Sequence, residues 1–318
     1  MTRPVDTATE SRREAELMQR VRSGSMDEDE LAARLPAFPL KLQIQTASPC
    51  HAACAMCPWP DTRDELPQGR MREELFDLLV GQLAGRGVER IGLFLMNEPL
   101  LDERLERFVA RLLAREPRAT TVIYTNGERF TPARAQALAD AGLREVDVSV
   151  VGFEPEAYAR FMKGVNREKV LSNLEGVAEL VAAGRLGTMS VRIVGLDMPE
   201  AVVGLPAFRA RFGLPVELKD VTNRAGLVDV ERFGVEDPSG RPFRACQRPF
   251  VKAYVLYTGD VVLCNCDWRR TTVFGNIARR PLAELWRDAW LMEVRRQHLR
   301  ARLAPDSLCA RCDYVRLA

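Results

Sequence analysis

Cys50, Cys54 and Cys57 stand in a C-x3-C-x2-C arrangement, Cys50-His51-Ala52-Ala53-Cys54-Ala55-Met56-Cys57, directly after a strand-like segment. Three thiolates on one short loop can occupy three irons of a [4Fe–4S] cube. With no fourth cysteine nearby, the last iron is open to a small-molecule ligand and so to chemistry. Zinc is the alternative, with His51 as its fourth ligand, but His51 adjoins Cys50 and is badly placed to close a tetrahedron. Five more cysteines follow far down the chain: Cys246, Cys264, Cys266, Cys309 and Cys312. Four thiolates saturate a second [4Fe–4S] cluster, with a zinc ribbon as the competing reading.

The elements between these sets must position them. From residue 40 onward, short apolar runs alternate with helical segments. Strands are expected over 40–45, 90–96, 121–124, 145–150, 189–194 and 216–221, with helices over 72–86, 103–115, 132–141, 167–183 and 203–212. This alternation predicts an α/β protein with six parallel strands, whose functional residues gather just past the carboxyl ends of the strands. Unusual residues occupy those places: the cysteine loop, Asn97-Glu98-Pro99-Leu100, Thr125-Asn126-Gly127, Ser149 and Gly152, and Asn223-Arg224-Ala225-Gly226. Beyond them, a hairpin over 251–256 and 260–263, turning at Gly259-Asp260, and a helix over 281–302 carry the distal cysteines. Residues 1–36 read as a peripheral extension with a short amphipathic helix over 14–22, either disordered or covering the mouth of a site.

An apolar fraction of 47% over 318 residues is ample for a packed core. Forty-six basic against 44 acidic residues leave a net charge of +2, which gives no electrostatic case for nucleic acid or an anionic membrane. The chain opens without an apolar signal segment and has no membrane-length apolar run. A reducing cytoplasm is therefore expected, where cysteines bind metals or catalyse.

The cysteine loop after the first strand, the Glu98-Pro99-Leu100 turn after the second and the six-fold alternation resemble the radical S-adenosylmethionine (SAM) superfamily. The resemblance implies a partial (β/α)6 parallel barrel over 37–225, with Cys50, Cys54 and Cys57 holding a [4Fe–4S] cluster whose open iron binds SAM. An external one-electron donor such as flavodoxin or ferredoxin would reduce it. The family's aromatic position before the third cysteine is Met56 here, and its Gly-Gly-Glu motif is Met96-Asn97-Glu98. By resemblance, Met56, Asn97 and Glu98 contact SAM, with Glu98 accepting from its amino group, and Thr125, Asn126 and Ser149 hold the ribose. The tail over 226–318, with Phe274-Gly275-Asn276-Ile277 and Leu285-Trp286, resembles SPASM/twitch extensions. It implies Cys246, Cys264, Cys309 and Cys312 as ligands of one auxiliary [4Fe–4S] cluster, since the further SPASM cysteines do not follow before Ala318.

A saturated auxiliary cluster is suited to electron transfer. Together these expectations describe a SAM-consuming dehydrogenase that takes hydrogen from a carbinol carbon of a sugar or aminocyclitol and yields a ketone, in antibiotic biosynthesis of the aminoglycoside type. Arg192, Arg224, Asn223 and Asp197 are the candidate substrate residues on the rim. Cys266 is a neighbour of the cluster, an alternative ligand, or the hydrogen donor of a radical epimerase. A peptide-modifying SPASM enzyme is a further alternative, disfavoured because 1–34 lacks the strand pattern of a leader-binding domain. A non-enzymatic zinc or iron–sulfur protein is the alternative from another class.

Overall fold

A computed structural model describes residues 11–316, apart from 153 and 237. Among the described residues eleven strands are formed: β1 (Lys41–Ile44), β2 (Ala53–Cys54), β3 (Arg90–Gly92), β4 (Thr120–Thr125), β5 (Glu145–Ser149), β6 (Met162–Lys163), β7 (Ser190–Leu196), β8 (Val216–Lys219), β9 (Lys252–Val255), β10 (Asp260–Val262) and β11 (Gly275–Asn276). The main sheet has nine strands in the order β11-β10-β9-β1-β3-β4-β5-β7-β8. Six of them, β1, β3, β4, β5, β7 and β8, lie parallel in chain order, which is the expected partial barrel. Helices such as Glu73–Leu83, Leu105–Leu113, Pro132–Asp140 and Arg167–Ala182 fill the crossovers.

Side-chain alternation decides what faces the lumen. In β5, Val146 and Val148 are fully buried on one face, and Val148 meets Val170 of the helix Arg167–Ala182 around Gly127. Glu145, Asp147 and Ser149 take the other face. Arg90 and Arg192 answer from β3 and β7, so that face carries paired charges beside Val122 and Val194.

Three expectations need correction. The second strand ends at Gly92 instead of running to 96: the chain bends at Leu93, and Met96 beyond it adopts a left-handed backbone (φ 54). The helix expected over 281–302 is two helices, Leu282–Leu285 and Ala289–Leu299, separated at Asp288, whose side chain accepts from Trp290 N (2.9 Å) and so starts a new helix. The hairpin forms, but β9 pairs parallel with β1, so the main sheet continues into the cysteine-bearing tail.

The amino-terminal segment is also placed differently from expectation where it is described. Helices α1 (Arg12–Ser23) and α2 (Glu28–Arg34) bury Leu17, Met18, Val21 and Leu31 in the common core. Glu14, fully buried, ion-pairs with Lys41, the first residue of β1. This contact sets α1 beneath the amino ends of the strands, opposite the cysteine loop. Residues 1–10 lie outside the described residues.

Candidate active site

Strand β1 delivers the chain to Cys50, and the loop that follows is fixed by its own backbone. Trp59 Nε1 donates to Cys50 O (2.9 Å), Cys57 N to Cys54 O (3.1 Å) and Trp59 N to Cys57 Sγ (3.4 Å). A two-residue antiparallel pairing of β2 with β6 holds Cys54 against Met162. Gly164 is left-handed (φ 88), and a Cβ there would stand 3.0 Å from His51 O, so the turn after β6 packs directly on the cysteine loop. Burial pushes Cys50 up to about 12 and also raises Cys54 and Cys57, and Cys54 feels the charges of both other thiols. Three half-buried thiols on one loop, each raised in pKa, are favoured as thiolates when cationic charge arrives, which iron supplies.

Glu98 is the organiser of the adjacent strand ends. One carboxylate oxygen accepts from Thr125 Oγ1 (2.7 Å) and Leu100 N (3.1 Å), and the other from Asn126 N (2.8 Å). Burial raises its pKa, while these three donors work in the opposite direction. Three of about four acceptor positions on the carboxylate are thus occupied. Thr125 also accepts from Gly127 N (3.1 Å), so its hydroxyl is committed within the protein. Asn126 Oδ1 accepts from Glu128 N (3.1 Å), and its amide faces His51 Nε2 (3.4 Å), which also meets Glu128 Oε2 (3.2 Å). Asn97 Oδ1 caps Leu95 N (2.8 Å). Met56 packs into the apolar core, and Ser149 is half-buried at the end of β5.

Several buried polar atoms beside this loop have no protein partner: Asn97 Nδ2, His51 Nδ1 and the hydroxyl of Tyr158. Tyr158 lies close enough to Cys54 to register its charge. It sits in the helix Pro155–Phe161 and was missed from sequence, where an aromatic at a helical position reads as ordinary core. Thiols together with orphaned polar atoms are what a thiolate-ligated cluster and a polar small ligand require.

The rim candidates divide. Arg192 lies two residues deeper in the barrel than the pairing of Ser149 with Val194. It is bound to Asp147 Oδ1 (2.7 Å) and Glu145 Oε2 (3.1 Å), while Arg90 grips Glu145 with two bonds (2.6 and 2.7 Å). Burial opposes its charge, but the carboxylates outweigh burial and raise its pKa. Such a guanidinium holds strands together and takes no proton. Asn223 is occupied as well: its backbone N donates to Asp313 Oδ2 (2.6 Å), its Oδ1 accepts from Asp313 N (3.1 Å), and its amide donates to Arg311 O (2.9 Å). Asp197, whose backbone N donates to Lys219 O (2.8 Å), follows directly on β7. Arg224, left-handed at φ 48, is half-buried. Its charge favours the thiolate at both Cys57 and Cys266, which makes it a cation shared by the two cysteine sets.

The distal set converges. Cys246, Cys264, Cys266, Cys309 and Cys312 line one pocket with Arg248, Pro249, Leu263, Leu308 and Val315. Cys246 N donates to His298 Nδ1 (3.3 Å), and Arg248 Nη1 donates to Cys266 Sγ (3.3 Å). Hydrogen bonds from Cys264 and Cys312 hold the Cys266 thiol well below its ordinary pKa. Cys266 is therefore inside the distal pocket, where the hydrogen-donor reading would need it beside the substrate. Among the described residues no three His, Cys, Asp or Glu side chains close on a single point as a mononuclear ion requires; a cubane spreads its thiolates over four irons. No cysteine is in a disulfide, and among the described residues no helix is long and apolar enough to cross a membrane.

Comparison with known proteins agrees with this architecture. A model of the radical SAM superfamily matches residues 44–198, and a model of the SPASM iron–sulfur cluster-binding domain matches 246–313. The chain belongs to the radical SAM superfamily, as an enzyme with a SPASM-type domain, and SAM and two [4Fe–4S] clusters are its cofactors.

Among individual relatives, the S-adenosyl-L-methionine-dependent 2-deoxy-scyllo-inosamine dehydrogenase of Niallia circulans is 24% identical over 86% of this chain and 92% of its own length. A GTP 3′,8-cyclase of Rhodococcus opacus is 28% identical over 57% of this chain and 50% of its own. In structure, BtrN in complex with AdoMet and 2-DOIA superposes with a TM-score of 0.61 at 22% identity, covering 87% of this chain and 93% of BtrN. Streptococcus suis SuiB bound to precursor peptide SuiA gives 0.66 at 15% identity, covering 94% and 75%.

Proposed function

We propose that this enzyme is a dehydrogenase that oxidises a secondary alcohol of an aminocyclitol or related sugar to a ketone, as a step in making an antibiotic of the aminoglycoside type. The observation that carries this reading is Arg224, a cation felt by a thiol of each cysteine set. It brings an electron acceptor close to the place where a radical starts. The similarity to 2-deoxy-scyllo-inosamine dehydrogenase over nearly the whole of that protein supports it. When bound, SAM and the primary cluster supply a 5′-deoxyadenosyl radical and the auxiliary cluster accepts one electron, so the alcohol loses a hydrogen atom, a proton and an electron in total.

The chain's own residues divide the work. Cys50, Cys54 and Cys57 hold the primary cluster, and Cys246, Cys264, Cys309 and Cys312 the auxiliary one. Glu98 fixes the turn beside SAM and offers its remaining acceptor position to the SAM amino group. Asn97 Nδ2, Asn126 and Ser149 supply polar contacts to SAM, Met56 packs beside it, and Thr125 acts by orienting Glu98. Arg224 faces the substrate oxygen, where a guanidinium stabilises the negative charge that develops as the carbinol proton leaves. Residues 37–225 form the catalytic barrel and 226–318 the auxiliary unit. A one-electron protein donor such as flavodoxin or ferredoxin and a cytoplasmic setting suit this chemistry.

The test is anaerobic reconstitution followed by turnover with 2-deoxy-scyllo-inosamine and related aminocyclitols. About eight irons per chain, reductive SAM cleavage and a ketone product are expected. Zinc in place of iron, or no SAM cleavage under reduction, overturns the reading. Peptide modification is the second reading, favoured by the superposition on peptide-bound SuiB; turnover of a peptide with none of an aminocyclitol would select it.

A further inference from the structure

A [4Fe–4S] cluster takes four thiolates, and the distal pocket contains five thiols. Cys266 is the most enclosed of these, 1% exposed against 8% for Cys246 and Cys264, and Cys309 and Cys312 are only partly buried. The Cys266 backbone N donates to Cys264 Sγ (3.1 Å). Cys264 and Cys266 leave β10 two residues apart on one turn, yet both line the same pocket. Arg248, fixed over the Tyr314 ring at 3.9 Å, holds a donor 3.3 Å from the Cys266 sulfur. A bystander thiol has no reason to line the same pocket as the four ligands with its own cationic partner.

We propose that Cys266 is an exchangeable ligand of the auxiliary cluster, taking the place of Cys264 on one iron. This rests on the reading of the distal cysteines as a cluster site. In the exchange the iron–sulfur bond to Cys264 breaks as the bond to Cys266 forms, one thiolate replacing the other, so charge and protons balance without a transfer. The electron count does not change. Arg248 stabilises the Cys266 sulfur while it is off the iron. The other three ligands, Cys246, Cys309 and Cys312, have no such substitute within two residues.

The experiment uses the full chain with Cys50, Cys54 and Cys57 all replaced by alanine, so that iron reports the auxiliary site alone. After anaerobic reconstitution this background should hold about four irons. Adding Cys264→Ala or Cys266→Ala should leave that content unchanged, whereas adding both should leave one iron without a thiolate, read as loss of about one iron in four on mild oxidation. Electron paramagnetic resonance of the reduced background should give two overlapping signals that collapse to one in the Cys266→Ala variant. That spectral measurement needs no change at Cys264 and so reads out even if the Cys264 variant misfolds. Loss of iron in a folded Cys264→Ala variant, or one unchanged signal with and without Cys266, overturns the exchange. A background that binds no iron fails the auxiliary-cluster reading itself.

Discussion

Asn223 and Asp313 clasp each other across 90 residues of sequence: Asn223 N donates to Asp313 Oδ2 (2.6 Å), and Asp313 N returns a bond to Asn223 Oδ1 (3.1 Å). One partner precedes Arg224 and the other follows Cys312, so the clasp fixes the last barrel loop to the distal cysteine pocket. Asn223→Ala removes one acceptor and one donor and leaves Asp313 N without its partner. A loss of about 1–3 kcal/mol is expected, seen as a melting temperature lowered by several degrees in an anaerobic thermal scan. An unchanged melt would mean that the clasp is dispensable.

The knot at Glu98 separates positioning from cluster ligation. Thr125→Val removes the hydroxyl that donates to Glu98 and accepts from Gly127 N, at a cost of about 1–3 kcal/mol. Glu98→Gln sets an amide against backbone donors. It should weaken SAM binding about tenfold, roughly 1.4 kcal/mol, with iron content unaltered. Loss of iron in Glu98→Gln would assign the residue to the cluster instead.

Gly164 tests the seating of the cysteine loop. Its φ of 88 and the 3.0 Å approach to His51 O leave no room for a methyl group. Gly164→Ala should cost about 1–2 kcal/mol and reduce iron loading at the primary site, measured in a background lacking Cys246, Cys264, Cys266, Cys309 and Cys312. Full loading there would show that the turn does not constrain the loop.

Lys252, six residues past Cys246, gives a pH signature of its own. Burial, then the nearby cations of Arg248 and Lys41, lowers its pKa to about 7 from 10.5. The folded chain therefore binds fewer protons than the unfolded chain between those values. Stability contributed by this site is lost as pH falls from about 10 towards 7, at about 1.4 kcal/mol per unit. Lys252→Met should flatten that slope in denaturant titrations at pH 7 and pH 9.5. Equal slopes in both proteins would contradict it.

What the sequence discloses is what short-range pattern carries. The six strands, the cysteine loop and the strand-end positions of Glu98, Thr125 and Asn126 follow from alternation and spacing. What it conceals depends on register between distant segments. Arg192 reads as a rim residue until β7 is paired with β5, when Asp147 and Glu145 are found to occupy it. Asn223 likewise looks free until Asp313 is brought to it. The parallel pairing of β9 with β1 joins segments some two hundred residues apart, which no local signal announces. The break at Asp288 is a capping event inside an apolar periodicity that continues on both sides.

The central claim is that hydrogen leaves a carbinol carbon and an electron follows it out of the substrate. The most direct measurement supplies the reconstituted enzyme with an aminocyclitol deuterated at the carbon to be oxidised and examines both products by mass spectrometry. One deuterium in 5′-deoxyadenosine for each ketone formed is the predicted result. Deuterium-labelled 5′-deoxyadenosine accompanied by an epimerised alcohol carrying solvent hydrogen, and no ketone, would contradict it.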